Sequence, residues 1–509
     1  MAEDGCVRSV AIIGAGAAGA ITAAAFAAEE YFERIQVFER RESAGGTWIY
    51  DSSPPSKLPL KPGSLPPELD PSLPVPNNLP EITSPNEQER FTQTPIYSSL
   101  TTNVPAIAMP FSDLPFAYGP FVPHHIPKQY IESYFAYHKI DSLLSLNTTI
   151  EDVSLISPPN SAKEKWKLTL RKHDPVRQVD VWWEDAFDAV VLANGHYSVP
   201  FIPEVTGLAA YMKLFPGRIQ HSKTYRTPLL YTNKKVLIIG NSASAKDLSM
   251  DLLSTVAHPL YLSRRSASRW DGPSPPRGII WKPVVKEYRM DGRIVFDDES
   301  YVDGVDTVIY CTGYLPSFPF WDAKNNGREI WDYKKNKLAK TYLHTFFHDF
   351  KTLGIVGMPR VLTFRSFEYQ AIALARLWSG RQTKALPGLE VQEGWEEERE
   401  ILGKRQGKKF HDIEWGTGET LGWLGELYEI AGLGKLTGEG RTPPVIGEEV
   451  RWAIENLRKY PEPGKDKDEK RKGKVEGESV SREDRLEGGD AEQWVLVGRR
   501  AEKDLLSFI

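Results

Sequence analysis

Residues 10–13 are wholly apolar and run at once into Gly14-Ala-Gly16-Ala-Ala-Gly19, which an alanine-rich stretch at 20–28 follows. A short buried strand, a tight glycine turn and a strong helix former in that order predict a strand–turn–helix unit. The first glycine permits the turn, the second lets a backbone approach a pyrophosphate, and the third lets the helix lie close to the strand. A second apolar run at 35–38 ends at Glu39, 20 residues beyond Gly19. A carboxylate at the end of that strand can accept hydrogen bonds from ribose hydroxyls, so turn and acid together predict a dinucleotide site.

A related pattern recurs at Val236-Leu-Ile-Ile-Gly240-Asn-Ser242-Ala-Ser244-Ala245, where small residues replace two of the three glycines. Its next strand, 260–263, ends in Arg264-Arg265 with no acid where Glu39 stands in the first unit. Arginine pairs with a 2'-phosphate that a carboxylate would repel, so the second dinucleotide is expected to be NADPH. Residues 189–193 read as a buried strand ending at Asn194-Gly195, 307–310 as one ending at Thr312-Gly313, and 353–356 as another. The second unit therefore reads as inserted into the first. The expected fold class is α/β with two Rossmann-like dinucleotide-binding domains, one inserted into the other, and a largely helical C-terminal region. The expected boundaries are 1–205 for the first part of one domain, 206–325 for the insert, 326–460 for its second part with the C-terminal helices, and 461–509 for a charged tail.

Between these units the chain is less regular. Residues 51–90 hold 11 of the 38 prolines with almost no periodicity and read as a long irregular excursion over a site, bordering a substrate entrance. Helical spacing begins at Pro127, strand alternation marks 148–154 and 166–170 as a small covering sheet, and 366–379 reads as a helix. Residues 461–490 are nearly all charged, Gly, Ser and Pro, and are expected to form a mobile linker before a short docking element at 492–509.

Composition excludes several alternatives. A net charge of -5 over 509 residues gives no reason to expect nucleic acid or an anionic membrane as partner. The two cysteines, Cys6 and Cys311, allow neither a C-x-x-C redox pair nor a thiolate metal cluster. No metal site is expected. Residues 1–8 do not resemble a cleavable signal, and no run approaches the roughly 20 apolar residues that span a bilayer, so a cytoplasmic setting is expected.

Phe215-Pro-Gly217-Arg-Ile-Gln-His221-Ser-Lys-Thr-Tyr225-Arg226 resembles the identifying motif of the flavin-containing monooxygenases, class B flavoprotein monooxygenases. Gly45-Gly46-Thr47-Trp48, Asn194-Gly195-His196-Tyr197 and Cys311-Thr312-Gly313-Tyr314 also fall where that family has its turns, so the resemblance spans residues 8–380. It resembles the soluble, fungal type, without the hydrophobic C-terminal anchor of membrane-bound relatives. The resemblance implies FAD in the first unit, held by Gly14, Gly16, Gly19, Glu39, Gly46, Thr47, Trp48, Thr102, Asn103 and Gly195. It implies NADPH in the second, beside His221, Gly240, Ser242, Ser244, Ala245, Arg264, Arg265, Thr312 and Gly313. His221 is expected beside the nicotinamide and not in acid–base work. Tyr225 stands where Baeyer–Villiger relatives usually carry Trp. In Leu100-Thr-Thr102-Asn103-Val-Pro105, Asn103 corresponds to an amide over the flavin and is the expected catalytic residue. The implied reaction passes through a C4a-hydroperoxyflavin, from which one oxygen atom of O2 goes to a nucleophilic nitrogen or sulfur of a small molecule. Alternatives are a Baeyer–Villiger or N-hydroxylating enzyme, or a non-catalytic NADPH- or flavin-binding sensor; homodimerisation is left open.

Overall fold

Strand Ser9–Ile13 lies between Arg34–Phe38 and Ala189–Leu192, parallel to both. Being central, it is covered on both faces, which is why residues 10–13 carry no polar side chain. The computed structural model describes residues 7–55, 58–116, 119–157, 164–268, 270–362, 364–432, 440–460 and 495–496. The full sheet has seven strands in the order Thr341–Tyr342, Phe346–Phe347, Leu353–Ile355, Ala189–Leu192, Ser9–Ile13, Arg34–Phe38 and Leu144–Ser145.

After Ala189–Leu192 the chain leaves this sheet; it re-enters at the far edge through Thr341–Tyr342 and Phe346–Phe347, and Leu353–Ile355 then lies directly beside the strand it left. The intervening residues build a second, wholly parallel sheet in the order Ile219–His221, Thr307–Tyr310, Lys235–Ile239, Ala257–Ser263 and Ile279–Lys282. Outgoing and returning chains are tied where Val199–Pro200 pairs antiparallel with Tyr314–Leu315. The fold is thus α/β with two Rossmann-like sheets, the second nested in the first.

One face of the first sheet meets a covering sheet of Thr148–Ile156, Lys165–Asp174 and Val179–Phe187, whose inward Trp166, Leu168 and Leu170 pack on Ile13, Val190 and Leu192. Its fourth strand, Glu81–Thr83, comes from the proline-rich excursion. Three residues are too few to show a period, so the sequence reads there only as irregular. The other face carries helices Ala17–Ala28, Phe364–Trp378 and Glu419–Ala431, and the alanines between the first two let their backbones come close. Helices Leu389–Gln406 and Glu448–Asn456 complete the C-terminal region. The expected linker at 461–490 lies outside the described residues. So does the docking element at 492–509, except that Val495–Leu496 pairs with Leu457–Arg458. No helix among the described residues is long and apolar enough to cross a membrane.

Candidate functional site

The two glycine turns are the same device used twice. Gly14 has φ of +106°, and a Cβ there would stand 2.7 Å from the Ala193 carbonyl oxygen; Gly240 has φ of +127°, with Cys311 O 2.6 Å away. Each turn therefore passes under the end of the neighbouring parallel strand at a distance that only glycine allows. A Cβ on Gly19 would fall 1.8 Å from the Gly14 carbonyl oxygen, whereas the corresponding Ala245 of the second unit is accommodated and fully buried. Helices Ala17–Ala28 and Ala243–Leu252 start at Gly16 and Ser242 without a side-chain cap, so their first N–H groups are open to a phosphate. Ser244 lies in the first turn of the second helix. The Gly45-Gly46-Thr47-Trp48 turn closes on the first unit: Gly45 N–H donates to Ala15 O at 3.0 Å, and a Cβ on Gly46 would be 2.7 Å from Gly16 Cα.

Glu39 is buried at the end of its strand, where Oε2 accepts from Ala15 N–H at 2.8 Å and Oε1 from Arg41 N–H at 2.9 Å. The carboxylate thus borders the turn as expected. The second unit departs from expectation, because the structure brings Asp271 to its turn from 31 residues beyond Gly240 (271 − 240). Asp271 Oδ2 accepts from Arg264 Nη1 at 2.6 Å, Ser268 N–H at 2.7 Å and Asn241 Nδ2 at 2.8 Å. Burial alone would raise its pKa, but these donors outweigh burial and hold the carboxyl below its usual range. Arg264 also lies over the Trp281 ring, 3.5 Å from its centroid, while Arg265 is exposed. A surface loop carries Asp271, so no local sequence signal predicted it.

A cavity of about 280 Å³ runs past the first turn. Of the expected residues, Gly14, Gly16, Glu39, Gly46, Thr47, Trp48 and Gly195 converge on it. Its wall also includes Asn194, His196, Asp70 and Arg90, which residue-by-residue reading did not assign. The carbonyl oxygen of the Asn194 side chain is buried without a partner, while its amide donates to Ser317 O at 3.2 Å. An orphan acceptor beside a glycine cradle fits a bound dinucleotide with donors to offer. Burial, with Arg360 nearby, pushes His196 down to about 3, so it is neutral at pH 7. Asp70 and Arg90 reach the cavity from the proline-rich excursion. They belong to a buried chain of charges in which Arg90 meets Asp70 at 3.3 Å and Glu151 at 3.2 Å, and Arg171 joins Glu151 to Asp180, both at 2.8 Å.

Thr102 and Asn103 do not line this cavity. Thr102 is buried, with Oγ1 accepting from Val122 N–H at 3.1 Å, and Asn103 is exposed. Their segment bridges the two units: Tyr97 Oη donates to Asp247 at 2.5 Å and Ser99 Oγ to Asp251 at 2.8 Å, both on the helix that starts at the second turn.

His221, expected beside the nicotinamide and not in acid–base work, is fully buried, with Nε2 donating to Gly313 O at 3.0 Å and Nδ1 accepting from Lys223 N–H at 3.1 Å. Both ring nitrogens are used inside the protein, so the imidazole secures the Gly313 turn and has no group left for a ligand. Burial pushes its pKa down to about 3, which keeps it neutral. Thr312 likewise spends its hydroxyl on Phe201 O. Burial, with Arg40 nearby, brings Lys223 down to about 7. Tyr225 donates to Asp251 at 2.6 Å. Burial pushes the Cys311 thiol up to about 12, so it is not a nucleophile at neutral pH.

The chain matches a family described as flavin-binding monooxygenase-like over residues 82–271, and one described as an NAD(P)-binding Rossmann-like domain over 12–61. It is 30% identical over 387 residues to the flavin-containing monooxygenase FMO GS-OX-like 2 of Arabidopsis thaliana, covering 74% of each chain. To the flavin-containing monooxygenase iboF of Amanita muscaria it is 29% identical over 486 residues, covering 82% of this chain and 88% of that one. Among solved structures it is similar to S-allyl-L-cysteine S-oxygenase from Allium sativum, with a TM-score of 0.69 at 27% identity, over 88% of this chain and 92% of that one.

Proposed function

The chain belongs to the flavin-containing monooxygenases and is an oxidoreductase that uses FAD, NADPH and O2 on a small molecule, and from that premise we propose that its substrate atom is a soft nucleophile, nitrogen or sulfur. The observation that carries this reading is the likeness to an S-oxygenase over nearly the whole chain. A second consideration agrees with it. Burial holds His196, His221 and Cys311 in their neutral forms at pH 7, so these three groups supply neither an imidazolium nor a thiolate. A reaction in which the substrate's own lone pair attacks needs neither. Tyr225, in place of the Trp usual in Baeyer–Villiger relatives, supports heteroatom oxygenation over insertion next to a ketone.

Bound FAD supplies O2 activation and bound NADPH supplies the hydride. The chain's part is binding, orientation and exclusion of water. Gly14, Gly16 and Gly19 leave room for the FAD pyrophosphate at open helix N–H groups, Glu39 accepts from ribose, and Gly46, Thr47, Trp48 and Gly195 close the remaining wall. Gly240, Ser242, Ser244 and Ala245 make the corresponding NADPH turn, with Arg264 and Arg265 for the 2'-phosphate and Thr312 and Gly313 at the junction. The units proposed for these tasks are 1–205 with 326–460 for FAD and 206–325 for NADPH. Asn103 is proposed as the oxygenation residue, since an amide can donate to a developing oxyanion without protonating it. Its place on the segment that bridges the two units supports that role. The excursion at 51–90 is proposed to border the substrate entrance, supported by Asp70 and Arg90 at the cavity wall.

The test is NADPH consumption by purified yellow protein across thioethers, thiols, amines and ketones, with product masses. Gain of one oxygen by a thioether or amine is expected. A lactone or ester from a ketone, with sulfides and amines untouched, would reassign the enzyme to the Baeyer–Villiger side.

A further inference from the structure

Three donors of different kinds converge on one oxygen at the second turn: the Arg264 guanidinium, the Ser268 backbone N–H and the Asn241 amide reach Asp271 Oδ2 at 2.6, 2.7 and 2.8 Å. The guanidinium carbon lies over the Trp281 ring, 3.5 Å from its centroid. This set resembles what a phosphate oxygen asks for, a planar cation with neutral N–H donors beside it. The anion it holds belongs to the chain itself. The Asp271 side chain is 11% exposed and that of Arg264 22%, so the pair is only partly shielded by protein. Asn241, Trp270, Asp271 and Trp281 all face an adjoining cavity of about 710 Å³, from which a ligand can reach the pair.

We propose that Asp271 is a built-in competitor for the 2'-phosphate of NADPH, occupying the anion cradle of Arg264, Ser268 and Asn241 and thereby setting the chain's discrimination between NADPH and NADH. This rests on the reading of Arg264 as the 2'-phosphate contact. NADPH must displace the carboxylate before its phosphate can take the same donors. NADH brings only a 2'-hydroxyl, which does not need to expel an anion and can instead donate to Asp271 where it stands. Asp271 therefore weakens the phosphorylated cofactor selectively and narrows the preference that Arg264 alone would give. In the first unit Glu39 similarly accepts from a donor of the glycine turn, Ala15 N–H at 2.8 Å, but no arginine side chain hydrogen-bonds that carboxylate among the described residues. A carboxylate beside a nucleotide turn is common to both units; pairing it with arginine is what makes the second one a competitor.

The test is calorimetric binding of 2',5'-ADP and 5'-AMP to the FAD-loaded protein, compared among parent, Asp271→Asn, Asp271→Ala and Arg264→Ala. Asp271→Asn is expected to tighten 2',5'-ADP by about 10-fold, the scale of one charge-assisted contact, and to leave 5'-AMP within about 2-fold. Asp271→Ala should move 2',5'-ADP in the same direction. The unchanged 5'-AMP affinity shows that the loop still folds. If neither Asp271 variant binds 2',5'-ADP more tightly while Arg264→Ala erases the preference over 5'-AMP, Asp271 is scaffold for the cradle and the inference fails with the Arg264 reading intact. If Arg264→Ala keeps the parent's preference, the phosphate is read elsewhere and both fail.

Discussion

Replacing Gly19 by alanine would put a methyl carbon 1.8 Å from the carbonyl oxygen of Gly14 and 2.9 Å from its carbonyl carbon. Both partners are backbone, so no rotamer change relieves the clash. An ordinary carbon–oxygen approach is about 3.3 Å, so the start of helix Ala17–Ala28 must rise by roughly 1.5 Å. The helix cannot follow freely, because Ala20, Ile21, Ala23 and Phe26 are fully buried against helix Phe364–Trp378 and its neighbours. Forced overpacking of this kind costs about 3 kcal/mol, which for a unit of about 340 residues lowers Tm by roughly 4 °C. The rise also carries the open N–H groups at the helix start away from the phosphate position. A hydrogen bond stretched by about 1.5 Å is no longer one, so flavin is lost in parallel. The assay is the flavin-to-protein absorbance ratio together with thermal melts with and without added FAD. Ala245→Gly is the control: that position already holds a buried methyl group without strain, so helix propensity and one methyl's burial are lost, about 2 kcal/mol together, with flavin content unchanged. A Gly19→Ala protein with the parent's flavin occupancy and a Tm within about 1 °C of it would refute both the packing analysis and the assignment of this turn to FAD.

Arg90→Ala should leave Asp70 buried without its cation and Glu151 with Arg171 alone, destabilising the protein by about 3–5 kcal/mol; a melt within about 1 °C of the parent would show that the buried chain of charges is not coupled to folding. His221 has a folded pKa near 3 against about 6.5 unfolded, so its neutral form stabilises fully above pH 6.5 and that contribution is lost as pH falls, at about 1.4 kcal/mol per unit toward pH 3. His221→Gln should therefore flatten the acid limb of a denaturant-midpoint-against-pH curve by one proton, and an unchanged slope would mean that the ring is already protonated in the native state. Asn103→Ala is expected to cut productive oxygenation by about 100- to 1,000-fold while NADPH consumption persists with hydrogen peroxide as product; unchanged coupling would make the residue structural.

What the sequence makes legible is whatever short range decides. The turn at Gly14 depends on residues within six positions and on one strand end, and its glycines announce it. Alternation over 166–170 is enough to place a covering strand because Trp166, Leu168 and Leu170 must share one face. Glu81–Thr83 is silent because three residues at an edge bury almost nothing, and Ile82 stays 54% exposed. The partners of His221 are illegible for another reason. Its motif is visible, but whether its ring nitrogens face a ligand or a backbone depends on Gly313, 92 residues away.

Asp271 is where local reading and tertiary structure diverge most. Judged by the end of its second strand, the inserted unit is basic, since Arg264-Arg265 stands where the first unit has Glu39. Judged in space, both turns have a carboxylate beside them, and the units differ in what that carboxylate meets. In the first it meets N–H groups of the backbone only, so it can serve ribose directly. In the second it meets the guanidinium of Arg264 as well, the residue proposed to distinguish the cofactors. Charge counted along a chain thus mispredicts charge felt at a site whenever a loop can fold back. Without Asp271 the cradle of three converging donors would leave Arg264 uncompensated beside a cavity of about 710 Å³ that Asn241, Asp271 and Trp281 line. Under the proposal that Asp271 competes for this cradle, only a ligand that also makes the turn's other contacts displaces the carboxylate.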